Sequence, residues 1–317
     1  MHSELLNWFY QNKRTLPWRR GRTPYRVWVS EIMLQQTQVN TVIPYYKKWI
    51  KKYPTLKSFK ESNFDDVIKI WEGLGYYSRC HNMFNAAKLI NSTFPNNYDD
   101  LINLPGIGDY TAKTILAIAF KKNLVGIDTN LERIGYRILG LKTKTKRNQK
   151  RVVKYLEENQ CTNNPGDYNE ALMDLGSSLC KASITYCNQC PLKNICKAYE
   201  SSSPILYPTP KVRKKIPIYD VAVSVIEYKN KILITKRLNK NFLPGLWEFP
   251  GGKIEKNETA FQTIIREVKE ETNLTVSNPI FLGNIKHKYS HFGVKISLLI
   301  SFTKSLSLIQ IRSCRRS

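Results

Sequence analysis

No stretch of this 317-residue chain approaches the roughly 18 consecutive apolar residues that cross a bilayer, and its amino terminus has no apolar signal core. A membrane-spanning or exported protein is therefore not expected, and the chain reads as soluble and intracellular. Acidic residues are also scarce: 25 Asp plus Glu stand against 50 Lys plus Arg. The deficit is shared, with 17 acids to 30 bases in residues 1–200 and 8 to 20 in residues 201–317. Cations spread over the whole length suit a polyanionic partner such as nucleic acid, because they release counterions condensed on phosphates. An A/T-rich genome also drives lysine up, and the many Lys, Asn and Ile residues fit that origin, so charge alone does not choose a function.

Strand signals are scarce before residue 200, and no internal repeat is visible. From Ser3 to about Lys197 apolar residues recur at helical spacing between short Pro, Gly and Asn interruptions. Residues 201–216, SSSPILYPTPKVRKKI, combine serines, three prolines and a basic run, the composition of an extended linker. Beyond it, VAVSVIEY, KILITKR and KISLLISF alternate like strands around one helix. The expectation is two domains: an all-α domain over residues 1–200 and an α+β domain over residues 217–317, joined by the linker.

Cysteine is concentrated in one place. Cys180, Cys187, Cys190 and Cys196 leave six, two and five residues between them. Four thiols within 17 residues are ligands for a compact inorganic centre, either tetrahedral zinc or an iron-sulfur cluster. Two disulfides are the remaining option, which a reducing cytosol disfavours.

Three further segments carry candidate chemistry. In LPGIGDYTAKTILAIAF, Leu104 to Phe120, Gly106 and Gly108 form a turn whose backbone amides face outward at the start of an apolar helix, a geometry that suits phosphate or serves as a plain turn. In TPYRVWVSEIMLQQTQV a helix starts with Thr23 as cap and Pro24 at its first position. Glu31 follows Val27 by four residues and Trp28 by three, so it shares their apolar face, and desolvation there raises a carboxyl pKa. The third segment is VGIDTN, which carries Asp128 and Asn130.

Taken with the cysteine spacing, these motifs resemble the helix-hairpin-helix superfamily of endonuclease III and the MutY-type adenine DNA glycosylases, over residues 4 to 200. The resemblance implies a [4Fe-4S] cluster on the four cysteines and a catalytic carboxylate at Asp128. SEIMLQQTQV resembles the MutY motif, which implies Glu31 as general acid. Bifunctional relatives have a lysine where this chain has Tyr110; a phenol forms no Schiff base, so base removal without strand cleavage is expected. Lys113, one turn on, is the other amine in reach, expected at phosphate. The same resemblance places Tyr110 and Asn130 as positioning groups. It places Gln35, Gln36 and Tyr76 (in GLGYYSR) in the hole left by a flipped base, and Arg14, Trp18, Arg19 and Glu170 around that adenine. The implied partner is double-stranded DNA with adenine opposite 8-oxoguanine or guanine, met by a monomer in the cytoplasm at the bacterial nucleoid.

The carboxy-terminal half brings a second resemblance. GGKIEKNETAFQTIIREVKEETNL resembles a Nudix box, with Gly252, Glu258 and Arg266-Glu267-Val268-Lys269-Glu270-Glu271 in register and Asn273 where the box prefers glycine. Glu267, Glu270 and Glu271 share a helix face that suits Mg2+ on a diphosphate. KYSHFGVK resembles the Phe-Ser-His loop of MutY proteins, which implies Ser290 and His291 at an 8-oxoguanine, with Tyr289 for the usual phenylalanine. The domain is thus expected to read the lesion; the alternatives are a glycosylase fused to an active nucleotide pyrophosphohydrolase, or an endonuclease III-like glycosylase/lyase. The tail TKSLSLIQIRSCRRS lacks the expected last strand and helix of a Nudix-like fold, which leaves a truncation or a frameshift as the expectation.

Overall fold

Helix-start signals recur through the first two thirds of the chain: Thr23, Asn63, Asn97, Asp128 and Thr145 each accept a hydrogen bond from a backbone amide of the turn they precede. In the computed structural model, residues 1–303 are described except residues 92, 202, 211–215, 230, 238–245 and 290–291. The chain divides between Lys211 and Val212 into two units. The first contains α1 (His2–Asn12), α2 (Pro24–Leu34), α3 (Val39–Lys52), α4 (Leu56–Lys60), α5 (Phe64–Trp71), α6 (Tyr77–Leu89), α7 (Tyr98–Ile102), α8 (Asp109–Phe120), α9 (Thr129–Ile138), α10 (Lys146–Glu158), α11 (Pro165–Ser178) and α12 (Lys197–Glu200). Among the described residues no helix is long and apolar enough to cross a membrane.

Two apolar cores organise this unit. One gathers Trp28, Trp49, Phe59, Trp71 and Met83 from α2 to α6 with Ile115 of α8. The other joins Leu5 and Phe9 of α1 to Leu131, Val152, Tyr168 and Leu172 of α9 to α11. α8 and α11 pack together where the two lobes meet. Burying such aromatic clusters supplies the main driving force, at about 25 cal/mol per Å² of apolar surface.

The expected linker is shorter than its composition suggests. Arg137 on α9 is 2 % exposed, and its Nε donates to the carbonyl oxygens of Pro204 and Tyr207, both at 3.0 Å. The amide of Thr209 donates to the carbonyl of Lys142 at 2.8 Å. The Pro-rich segment thus docks on the helical unit, because a buried guanidinium needs acceptors and an extended chain presents its carbonyls freely.

The second unit is built on β1 (Ile218–Tyr228), β2 (Lys231–Leu233), β3 (Thr235–Lys236), β4 (Trp247–Glu248), β5 (Gly251–Lys253), α13 (Ala260–Thr272), β6 (Ser277–Lys288) and β7 (Gly293–Phe302). Within the five-stranded sheet, β1 pairs in parallel with β7 and antiparallel with β2 and β5; β6 closes the far side against β7. Ile264 and Val268 of α13 pack on Ala222, Ile226 and Leu299. The sequence did not announce β6, whose residues are mostly exposed and show no apolar alternation; its ladder to β7 holds it.

Candidate active site

The packing of α2 sets the first catalytic candidate. Thr23 caps it, Pro24 starts it, and Val27 and Trp28 are buried against the first core, which carries Glu31 inside to 5 % exposure. Tyr110, in the first turn of α8, donates its hydroxyl to Glu31 Oε2 at 2.7 Å. Burial raises the Glu31 carboxyl to about 7; the Tyr110 hydrogen bond pulls it down, and the charges of Glu170 and Asp128 push it up. Burial and the charges of Glu31 and Asp128 hold the Tyr110 phenol well above its ordinary value, so it remains a donor.

Asp128 is the N-cap of α9. Its Oδ1 accepts from the amides of Asn130 and Leu131 at 2.8 Å each, and its Oδ2 accepts from Asn130 Nδ2 at 2.7 Å. A carboxylate at a helix amino terminus meets the positive end of the peptide dipoles. Arg133 donates to Asn130 Oδ1 at 2.9 Å, which fixes that amide's orientation, and also to the carbonyls of Gly176 and Cys180.

Glu31, Tyr110, Asp128 and Asn130 line one cavity of about 1000 Å³ between the two helical lobes, together with Arg14, Trp18, Arg19, Gln35, Gln36 and Glu170. Several of these hold one another. Arg14 Nη2 and Arg19 Nη1 reach Asp174 at 2.6 and 2.8 Å, Arg19 Nε reaches Glu170 at 3.3 Å, and Arg22 bridges Glu170 and Asp167. Burial raises the Glu170 carboxyl while Arg19 and Arg22 draw it down. Arg22, Asp167 and Asp174 escaped the sequence reading; acids spaced three and four residues apart along α11, at 167, 170 and 174, were the available signal. Lys113 lines the cavity too, paired with Asp109 at 3.2 Å and Glu157 at 3.9 Å.

Gln36 and Tyr76 both adopt left-handed backbone, with φ of 57° and 49°. Such conformations are costly for non-glycine residues and persist where neighbours impose them. Arg79, 8 % exposed, is that neighbour: it donates to the carbonyls of Ile32, Met33, Gln35 and Gly75 and to Thr37 Oγ1, and stacks on Trp71 and Tyr76. An arginine on an ordinary helix gave no sign of this in the sequence. Tyr76, Gly106 and Gly108 are not part of the cavity lining. Gly106 has φ of 80° and needs glycine, whereas Gly108 is extended and caps α8.

Cys180, Cys187, Cys190 and Cys196 line a second, small cavity, and the described cysteines are all free thiols. Among the described residues no three His, Cys, Asp or Glu side chains converge as ligands of one metal ion, here or in the second unit. The four cysteines are among the residues lining that small cavity, and Arg137 Nη1 donates to Cys180 Sγ at 3.0 Å. Burial pushes the Cys190 thiol up to about 12, so a thiolate there needs a cationic centre beside it. An all-sulfur donor set around a cavity fits a polynuclear cluster.

In the second unit Arg266 pairs with Glu258 at 2.8 Å, Glu267 at 2.9 Å and Glu270 at 3.7 Å, and the amide of Gly251 donates to Glu271 at 3.3 Å. Glu267 is buried beneath Gly252, where a Cβ would meet its Oε1 at 2.1 Å. Asn273 has φ of 57° and ends α13, a position asparagine tolerates better than most residues. Ser290 and His291 lie outside the described residues.

Residues 29–158 match the HhH-GPD superfamily of base excision DNA repair proteins, and residues 218–309 match the NUDIX domain. The helical fold is similar to a thermostable thymine-DNA glycosylase, with a TM-score of 0.58 and 25% identity over 63% of this chain and 95% of that one. Fold and site thus define a helical base excision repair enzyme carrying a Nudix-like domain. The adenine DNA glycosylase of Buchnera aphidicola subsp. Baizongia pistaciae is 34% identical over 97% of this chain and 87% of its own length. That of Buchnera aphidicola subsp. Schizaphis graminum is 36% identical over 92% and 84%. The chain belongs to the adenine DNA glycosylase family, and it is a DNA glycosylase.

Proposed function

We propose that the protein is a monofunctional glycosylase that removes adenine mispaired with 8-oxoguanine or guanine from double-stranded DNA, acting as a monomer. The observation that carries this reading is the buried Tyr110–Glu31 hydrogen bond in a cavity shared with Asp128. Glu31, with its carboxyl near 7, holds a proton for N7 of a flipped adenine. Protonation makes the base a neutral leaving group as the bond between N9 and C1′ breaks. Asp128, fixed by two amides and Asn130, faces the sugar as positive charge develops and stabilises or captures it until water adds at C1′. Tyr110 offers no amine, and Lys113 is engaged by two carboxylates, so no imine to the sugar is expected.

Gln35, Gln36 and Tyr76 are assigned to the opened duplex, and Arg14, Trp18, Arg19 and Glu170 to the flipped base. Cys180, Cys187, Cys190 and Cys196 would hold a [4Fe-4S] cluster, which would shape the loop between them and leave bond breaking to Glu31 and Asp128. The domain after the linker is assigned to recognition of 8-oxoguanine through Ser290 and His291. An alternative role for it, Mg2+-dependent hydrolysis at Glu267, Glu270 and Glu271, predicts pyrophosphate release from an oxidised purine triphosphate.

The test is one set of duplexes carrying adenine opposite 8-oxoguanine, adenine opposite cytosine, or a damaged pyrimidine, each scored with and without alkali and with borohydride. Cleavage only of the first, only after alkali and without trapping, is expected. Alkali-independent strand cleavage with a trapped adduct would replace this reading with a glycosylase/lyase.

A further inference from the structure

Lys146, Arg147, Lys150 and Arg151 all lie exposed on the first two turns of α10. They form two like-charge pairs at i,i+4, Lys146 with Lys150 and Arg147 with Arg151, a spacing that destabilises a helix. The first turn holds no acidic residue, so the cations also oppose the helix dipole there. Ion pairs form on either side, Lys144 with Glu132 and Lys154 with Glu158, yet among the described residues none engages these four side chains. The chain could place acids here, as it does in the first turns of α5 and α7.

The neighbouring face of the same helix supplies a reason. Gln149, Val152 and Val153 line the catalytic cavity, so the basic face borders it. α3 makes the contrast: Lys47, Lys48, Lys51 and Lys52 are equally exposed and equally spaced, but they approach the carboxy-terminal end, where the dipole favours cations. Charge on α3 is locally stabilised, whereas the four cations at the start of α10 have no ion-pair partner among the described residues.

We propose that the basic face of α10 binds the phosphate backbone of the duplex flanking the excised adenine. The proposal rests on the reading of duplex DNA as substrate. Each cation displaces a counterion condensed on phosphate, and the neutralised phosphates relieve the repulsion along the helix.

The test replaces all four residues by glutamine in the full chain and measures affinity for an undamaged duplex of about 30 base pairs across a salt series. The plot of log affinity against log salt should become shallower by about 0.9 for each phosphate no longer neutralised, about 3.6 for four. Excision by the saturated complex should stay within about twofold of wild type, and the thermal midpoint should not fall, because repulsion has been removed. Lys47, Lys48, Lys51 and Lys52 changed to glutamine should leave the slope unaltered. An unchanged slope in the α10 variant, or an equal fall in the α3 variant, overturns the proposal. The predicted slope difference between wild type and the α10 variant, with no excision by the wild-type protein, would instead overturn the catalytic reading alone.

Discussion

At the scale of single residues, the site separates two carboxylates by environment. Glu31 is enclosed by apolar packing and holds its proton to about pH 7, while Asp128 accepts hydrogen bonds from two backbone amides and Asn130. Glu31→Gln keeps shape and hydrogen bonding but removes the proton, so single-turnover excision should fall by at least about 10², with binding of the mispaired duplex retained. Asp128→Asn should fall comparably through lost charge stabilisation. Near-normal turnover in either variant would be incompatible with the mechanism. The pH dependence follows from the protonated Glu31: the wild-type rate should decline as pH rises through about 7. Since the Tyr110 hydroxyl stabilises the ionised carboxylate, Tyr110→Phe should move that descending limb to higher pH, and a limb displaced downward would contradict the assignment.

At the scale of elements, the catalytic groups depend on how closely α8 meets the segment leading into α9. Gly126 lies there, and a Cβ on it would stand 2.0 Å from Thr114 Oγ1 and 2.9 Å from the carbonyl oxygen of Tyr110. Gly126→Ala should therefore cost about 1–3 kcal/mol in chemical denaturation, as overpacking of a tight interface does, and lower the excision rate by pushing Tyr110 from Asp128. Adding Thr114→Ala should recover only part of the stability, because the backbone clash remains. The cysteine loop is a second such element. If the four thiols hold the proposed iron-sulfur cluster, Cys187→Ser or Cys190→Ser should abolish the brown colour such a cluster gives and weaken duplex affinity, because the loop would lose the centre it folds around. Stoichiometric zinc without iron or acid-labile sulfide in the wild-type protein would reassign the site.

At the scale of the whole molecule, the two units test separately. If the second unit reads the lesion, Glu270→Gln should leave excision of adenine opposite 8-oxoguanine unchanged, whereas Ser290→Ala with His291→Ala should erase the preference over adenine opposite guanine. Mg2+-dependent hydrolysis of an oxidised purine triphosphate, abolished in Glu270→Gln, would make this a two-activity enzyme. Much of the molecule was legible in the chain itself. Helical caps, the Val27-Trp28-Glu31 face, the thiol spacing and the strand alternation all depend on near neighbours, and local physics settled them. Tertiary packing alone decided what depends on residues far apart. It gave Glu31 its tyrosine partner 79 positions away, tied Arg14 and Arg19 to Asp174, and set Arg79 beneath two strained loops. It also drew the Pro-rich segment onto Arg137, although composition alone suggested a free linker. Buried charges find partners across the fold, and those choices are absent from any short window of sequence.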